Sequence, residues 1–463
     1  MSGSAKARTI YLVHHHLRRG GVSRVILHTA EILRDAGEQV CIVSGERSPV
    51  PLPEGLSLRV IPALGYAESA PDSGDLQDCL SEMYHEGDIW HVHNHSLGKN
   101  PAVTDVFLRL AEEGHLLILQ PHDFAEDGRP RNLERLRKEL PGFPDRLYPF
   151  APHIRYAVLQ KRDQQLLRCA GIPAEQIHLL PNPVSVGMHP GPVRQPPKRI
   201  LYLTRAIRRK NIGEFLYWAA CFDGELEFAT SLIPENPEEL KLFKTWQDFA
   251  HAEGIPVRWG LGETCSFEKL VEAADLCITT SVGEGFGMSF LEPFGMGRGV
   301  RGRNLPEITA GFTEDGIDLS ALYPELPVPV DALDPEFWIR ATAQIRNWRQ
   351  SMGAEGSLDE AELKSAWVRD QQIDFGRLDE PAQRQVLRTL KGSLRRELLQ
   401  MDHPQPVEQN SATMESHYSD GPSLSRLQAL YNGLRSPGPV EYAQGDRVRD
   451  AFLDLSSVWL LRT

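Results

Sequence analysis

The chain has 463 residues, 41% of them hydrophobic and 24% charged, which suits two or three globular domains, each with its own core. Its formal net charge of −13 disfavours nucleic acid as a partner, because phosphate backbones are held mainly by a surplus of Lys and Arg. No apolar run approaches the ~18 residues of a membrane helix, and the six scattered cysteines form no C-x-x-C, so neither a disulfide framework nor a zinc ribbon is indicated.

The opening apolar run, TIYLV (9–13), stops at three histidines and is too short for a signal peptide. These features together predict a cytoplasmic protein with reduced thiols. The run is followed by the turn HHHLRRGG (14–21), the amphipathic stretch VSRVILHTAEILRDAG (22–37) and the run QVCIV (39–43). Strand, Gly-bearing turn, helix and strand in that order predict a parallel, doubly wound sheet. DIWHVH (88–93), HLLILQ (115–120) and IRYAVL (154–159) read as further strands. RPRNLERLRKEL (129–140) is the most basic stretch, but its interspersed acids make it a solvated helix face rather than a nucleic-acid or lipid site.

The composition shifts at PVSVGMHPGPVRQPPKR (183–199), whose five prolines mark a linker. A second α/β series follows. RILYLT (199–204), LEFAT (226–230), PVRWG (256–260) and DLCITTS (275–281) read as strands, and NIGEFLYWAACF (211–222) and FEKLVEAA (267–274) as helices. The predicted organisation is an N-terminal domain over 1–185, a linker over 186–199, a C-terminal domain over 200–385 and a helical extension over 386–463 that returns to the first domain or stays peripheral. Within that extension, 389–401, 424–434 and 448–461 read as helices and 401–423 as loop. Two such domains create a cleft at the C-terminal edges of both sheets, where open α/β sheets bind ligands.

The densest chemistry lies in SVGEGFGMSFLEPFGMGRGV (281–300). The turn after the last strand carries Glu284, Gly285, Phe286 and Gly287. A helix beginning near Ser289 carries Glu292, with Pro293 expected in its first turn, where a missing N–H costs nothing. Backbone N–H groups from Gly285 through Met288 to Ser289 favour an oxygen-rich anionic ligand, and glycines let it approach the main chain. Carboxylates beside such a site suit hydroxyls, as in the diols of a sugar and a ribose. The counter-charge comes from TRAIRRKN (204–211): Arg205 and Lys210 reach a diphosphate while Arg208 and Arg209 face solvent.

These motifs resemble the retaining glycosyltransferases of family 4, which have the GT-B fold. The resemblance spans roughly residues 9–310. It rests on the E-x7-E pair Glu284/Glu292 with GFG between, the R-x4-K-N turn, the early Gly20–Gly21 turn, the His122–Asp123 pair in LQPHDF, and Asn182 in LLPNPV. It implies a two-domain α/β fold and a nucleotide diphosphate sugar, UDP- or GDP-linked, as co-substrate with no further cofactor. It also implies transfer to a hydroxyl acceptor with retention. By the same resemblance Glu292 binds the ribose, and Glu284 with the main chain of Gly285, Phe286 and Gly287 holds the donor sugar. Arg205 and Lys210 stabilise the leaving diphosphate, Gly20 and Gly21 bring the first helix to that diphosphate, and His122 sits beside the anomeric centre. Pro293, Phe294 and RGVRG (298–302) depart from the family pattern, with Arg301 and Arg303 as potential modifiers of the pocket.

No two aspartates are separated by one residue, so the common metal-holding D-x-D is missing and metal-independent transfer is expected. Alternation places His91, His93 and His95 on one strand face, but no carboxylate or cysteine at matching spacing completes a metal site. They are expected, with His14, His15 and His16, to line the acceptor side. His16, His93, Asn94, Lys99, Asn100 and Asp123 are the acceptor-side candidates, Lys99 as an anion contact. The alternatives are a glycoside phosphorylase of the same fold and a non-catalytic sugar- or nucleotide-binding homologue. The sequence leaves the base, the sugar, the acceptor and the oligomeric state open.

Overall fold

The computed structural model describes residues 8–18, 20–49, 51–66, 73–184, 193–194, 196–390, 399, 401 and 403–463. The middle of the Pro-rich linker and most of the expected helix over 389–401 therefore lie outside the described residues. The chain divides into two compact units. One comprises Met1–Pro183, Ser351–Ala354 and Asp420–Leu453, and the other Val184–Gln350, Glu355–Ser419 and Asp454–Thr463.

The first unit is built on strands β1 (Thr9–His14), β2 (Gln39–Ser44), β3 (Ser57–Val60), β4 (Ile89–His93), β5 (Leu116–Gln120), β7 (Ile154–Val158) and β8 (Ile177–Leu179). The two-residue strand β6 (Pro149–Phe150) pairs instead with Glu441–Tyr442. The sheet order is β3-β2-β1-β4-β5-β7-β8, parallel throughout. Strands buried on both faces read as unbroken apolar runs, which is why TIYLV and HLLILQ were legible. The order reverses between β1 and β4, so the loops after those two strands border a crevice at the C-terminal edge.

The helix Gly21–Asp35 buries Val25, Ile26, Thr29, Ala30, Ile32 and Leu33 on one stripe. Leu427, Leu430 and Tyr431, from the helix Asp420–Asn432, share its core with Ile10, Leu12 and Ile26. Burial of each such leucine contributes about 1.5–3 kcal/mol, which secures a late segment of the chain to the first unit.

The second unit repeats the plan with β9 (Arg199–Arg205), β10 (Glu227–Leu232), β11 (Val257–Arg258), β12 (Leu276–Thr279), β13 (Gly299–Arg303) and β14 (Leu322–Tyr323), in the parallel order β11-β10-β9-β12-β13-β14. Every residue of the helix Ile212–Phe222 except Cys221 is buried. The switch point here is between β9 and β12, the two strands that precede TRAIRRKN and SVGEGFG.

Two expectations about the later chain fail. Residues 401–423 are not a loop, since Val407–Tyr418 is a helix burying Asn410, Met414 and Tyr418, one side chain per turn. The stretch 448–461 is helical only to Phe452, followed by turns and the 3-10 segment Leu460–Arg462. Among the described residues no helix is long and apolar enough to cross a membrane.

Candidate active site

The turn after β9 and the turn after β12 are joined in the second unit. Val282 N–H donates to the Arg209 carbonyl at 3.0 Å, and the Thr280 hydroxyl lies 3.0 Å from the carbonyls of both Lys210 and Asn211. Tyr202 O–H also donates to the Lys210 carbonyl. Asn211 takes a left-handed conformation, φ 55°, which Asn tolerates better than most residues. Its side-chain oxygen accepts from Gln383 at 2.9 Å. These ties fix the one-turn 3-10 segment Arg208–Lys210.

Lys210 Nζ forms an ion pair with Glu284 Oε1, and the Ser289 hydroxyl donates to the same oxygen at 3.2 Å. Burial pulls the Lys210 ammonium below its ordinary pKa, against the pull of Glu284. Burial pushes the Glu284 carboxyl up, but Lys210 and Arg209 outweigh it and hold the group below the usual range. Glu292 also favours the charged form of Lys210, less strongly than Glu284.

The other arginines depart from expectation. Arg209 keeps a solvent-exposed side chain, 42% accessible, but is also tied to the Glu284 turn. Its guanidinium donates to the Gly283 carbonyl at 2.7 Å and lies 3.8 Å from Glu284 Oε2. Arg208 is tied to Glu380 at 2.5 Å and to the Thr463 carbonyl at 2.8 Å. Arg205 is drawn instead to Glu235, 2.7 Å away. The 3-10 segment Arg208–Lys210 advances about 120° per residue, so Arg208 and Arg209 point in different directions. Sequence reasoning also missed Arg462: a Cβ on Gly283 would lie 2.7 Å from its Nε. Nothing local in the sequence signals that approach.

The helix after the turn begins at Met288, with Gly287 at its cap in the left-handed region, φ 94°. A Cβ on Gly287 would lie 2.8 Å from Ile308 and 2.9 Å from the Phe290 ring. Phe286 points into the core, its ring 5.3 Å from that of Phe312, which leaves its main chain on the turn. Pro293 lies inside the helix, five residues after its first, not in the first turn. It removes one N–H from the second turn of an eight-residue helix.

Arg301 and Arg303 do not modify this turn. Arg301 is held by Gln405 at 2.9 Å and the His403 carbonyl at 2.5 Å. Arg303 is fully buried between Glu214 and Asp374, each at 2.7 Å. They occupy β13, where Gly302, with φ 114°, has no room for a Cβ against the Thr279 carbonyl.

In the first unit the candidates gather at the ends of β1, β4 and β5. A Cβ on Gly21 meets nothing within 4 Å and one on Gly20 meets only the Arg18 carbonyl, at 3.9 Å. Among the described residues, nothing else crowds this helix start. The Asn94 side-chain oxygen accepts from His122 N–H at 2.7 Å and Asp123 N–H at 3.1 Å, so Asn94 positions the His-Asp pair. His93 Nδ1 and His122 Nε2 are 2.9 Å apart, and burial pushes the His122 imidazole down to about 4, leaving it neutral at pH 7. Asp123 pairs with Arg129 at 2.5 Å. Asn100 is buried and holds the loop carbonyls of Ala63 and Gly65 at 3.0 and 2.7 Å, an anchoring role. His14 and His15 are buried, while His16 is half-buried against Tyr66.

His95 does not share the face of His91 and His93. The strand ends at His93, Asn94 turns with φ 60°, and His95 packs against Tyr148 and Tyr156. His91 is instead used by Tyr431 and Gln120, each at 2.8 Å. Among the described residues no group of three or more His, Cys, Asp or Glu is placed to hold a metal ion.

No protein-family model matches the chain. It is 29% identical over 323 residues to a mannosylglucosyl-3-phosphoglycerate synthase of Petrotoga mobilis, a match spanning 61% of this chain and 62% of that protein, less than two thirds of its length. Among solved structures it is similar to Anabaena HepE in complex with UDP-glucose, with 12% identity, 92% and 100% of the two chains covered and a TM-score of 0.56. It is also similar to the lipopolysaccharide outer core galactosyltransferase WaaB, with 13% identity, 91% and 98% covered and a TM-score of 0.52. Two parallel sheets of this order and these structural likenesses give the chain the GT-B fold of glycosyltransferases.

Proposed function

We propose that the chain is a retaining, metal-independent glycosyltransferase of the family 4 type, moving a sugar from a UDP- or GDP-linked donor to a hydroxyl acceptor. The observation that carries this reading is the meeting of Lys210, Arg209 and Glu284 at the switch point of the second sheet. Lys210 and Arg209 receive the diphosphate, with the main chain of Gly285 to Ser289 at the helix start. Glu292 grips the ribose, and Glu284 orients the donor sugar while holding Lys210 in place. Fixed positive partners act on charge that develops on the leaving diphosphate, and each such donor is worth about 3–4 kcal/mol in the transition state.

In this mechanism the bond between the anomeric carbon and the diphosphate oxygen breaks, and the acceptor oxygen bonds to that carbon on the same face. The acceptor proton passes to the departing phosphate oxygen. His122, neutral at pH 7, acts in this reading as a hydrogen-bonding partner rather than a cation. The Petrotoga relative is named for a mannosylglucosyl-3-phosphoglycerate product, and on that likeness we take the acceptor to be a glycoside bearing a phosphoglycerate.

A thermal-shift panel of UDP, GDP, ADP and their sugars tests the reading, because a ligand of the folded state stabilises it by mass action. One nucleotide diphosphate and its sugar are expected to raise the melting temperature. NMR of the product should then show the donor's anomeric configuration, unchanged by EDTA. Phosphate-dependent release of sugar phosphate without nucleotide would overturn the reading in favour of a phosphorylase.

A further inference from the structure

The segment Asp454–Thr463 belongs to the second unit and is held along its length by side chains of that unit. The Arg377 guanidinium donates to the carbonyls of Ser456 and Val458 and stacks on the Trp459 ring, 4.0 Å from its centre. The Gln344 amide donates to the Leu460 carbonyl at 3.0 Å and to the Thr463 hydroxyl at 2.9 Å, and Leu460 and Leu461 are buried. A strap tied in this way can hold another element in place, which a loose segment cannot.

The strap meets both turns of the site. Its 3-10 segment Leu460–Arg462 lies against the 3-10 segment Arg208–Lys210, and Arg208 donates to the Thr463 carbonyl at 2.8 Å. On the turn after β12, Arg462 packs on the α-carbon of buried Gly283: a Cβ there would lie 2.7 Å from Nε and 3.0 Å from Cζ of the guanidinium. Gly283 is not among the glycines with a left-handed backbone, so what a side chain would disturb there is Arg462 rather than the main-chain conformation. The Gly283 carbonyl accepts from Arg209 at 2.7 Å, and the next residue, Glu284, forms the ion pair with Lys210. Two arginines thus grip Gly283 immediately before the carboxylate that holds Lys210.

We propose that Arg462 is a positioning residue of the donor site, holding the main chain at Gly283 so that Glu284 and Arg209 keep their bearing on Lys210. The strap supplies the fixed end. From it Arg462 lays a planar guanidinium on a position with no side chain, which limits movement of the Glu284 turn away from Lys210. A displacement of about 1 Å in such groups can cost roughly a hundredfold in the step they serve. The diphosphate as ligand rests on the glycosyltransferase reading above; the bracing of Glu284 does not.

Titration calorimetry of the full chain with UDP, UMP, GDP and GMP tests this for wild type, Arg462→Ala, Gly283→Ala and the double variant. For the nucleotide that wild type prefers, Arg462→Ala should lower the ratio of diphosphate to monophosphate affinity at least fivefold, whereas a general loosening of the fold would lower both affinities alike. Gly283→Ala, which pushes Arg462 aside, should lower the same ratio. The double variant should fall no further than the worse single variant, since both changes remove one contact. A smaller fall in Arg462→Ala, or losses that multiply in the double variant, overturns the proposal. Urea midpoints without nucleotide give a second readout, for Arg462→Ala, Glu284→Gln and the two combined. Their shifts should fall short of additivity, because Arg462 acts through the Glu284 turn; additive shifts overturn the bracing. A wild type that binds none of the four nucleotides overturns the donor-site reading, and the urea cycle then decides the bracing by itself.

Discussion

Lys210 and Glu284 lie 74 residues apart in sequence and meet as an ion pair whose side chains are 9% and 8% exposed. The pair joins the two loops at the switch point of the second sheet. It also poises the cation: on the proposed reading, an incoming diphosphate would share Lys210 with a carboxylate instead of meeting a loosely held surface amine.

Replacing Lys210 with Met should therefore do two things. Turnover should fall about 10²–10³-fold through loss of a transition-state partner. The stranded Glu284 should cost about 3–5 kcal/mol of stability, as breaking a buried pair does. The double variant Lys210→Met/Glu284→Gln should recover most of the denaturant midpoint without recovering turnover. Recovery of both would make the pair structural only.

Glu292→Ala should weaken nucleotide binding about ten- to a hundredfold, the worth of hydrogen bonds to a charged acceptor. Its effect on the melting temperature should be small, because Glu292 is only partly buried. Titration calorimetry with the preferred nucleotide diphosphate reads the first and a thermal melt the second.

Arg303→Met should leave Glu214 and Asp374 buried without their cation, lowering stability by about 3–5 kcal/mol. A urea midpoint checks this. Protein that remains folded should bind nucleotide as before, because Arg303 braces β13 and does not reach the Glu284 turn.

The buried histidines predict acid lability. Burial pushes His15 and His122 down to about 4, and His91 and His95 down to about 3. An unfolded chain protonates its histidines near pH 6.5. Below that pH the unfolded state binds protons that these rings refuse, so stability falls as pH drops from about 6.5 towards 4. Each ring forfeits about 2 kcal/mol between pH 7 and 5. The melting temperature of the first unit should drop by at least ~5 °C over that interval; a flat profile would contradict the buried, neutral assignment.

What the sequence disclosed tracks how local each signal is. The strands β9 and β12 and the helix Ile212–Phe222 were legible because their burial is written in consecutive apolar residues. The turn glycines and Glu284 were legible because they stand together in one short contiguous motif, SVGEGFG. β13 was not read as a strand. Its sequence, GVRGR, carries two arginines whose partners, Glu214, Asp374 and Gln405, lie 71 to 104 positions away. Val407–Tyr418 was read as loop because its buried stripe is one residue wide and includes Asn410, whose side chain donates to the Asp318 carbonyl at 2.9 Å. The approach of Arg209 to Glu284 depends on a single 3-10 turn, and spacing along the chain does not report rotation about it.

The most direct test is a crystal structure of the chain with the nucleotide diphosphate that stabilises it best. The account predicts diphosphate oxygens within hydrogen-bonding distance of Lys210, Arg209 and the main chain at Gly287–Ser289, with ribose hydroxyls on Glu292. A nucleotide seated elsewhere, with Lys210 still bound only to Glu284, would contradict it.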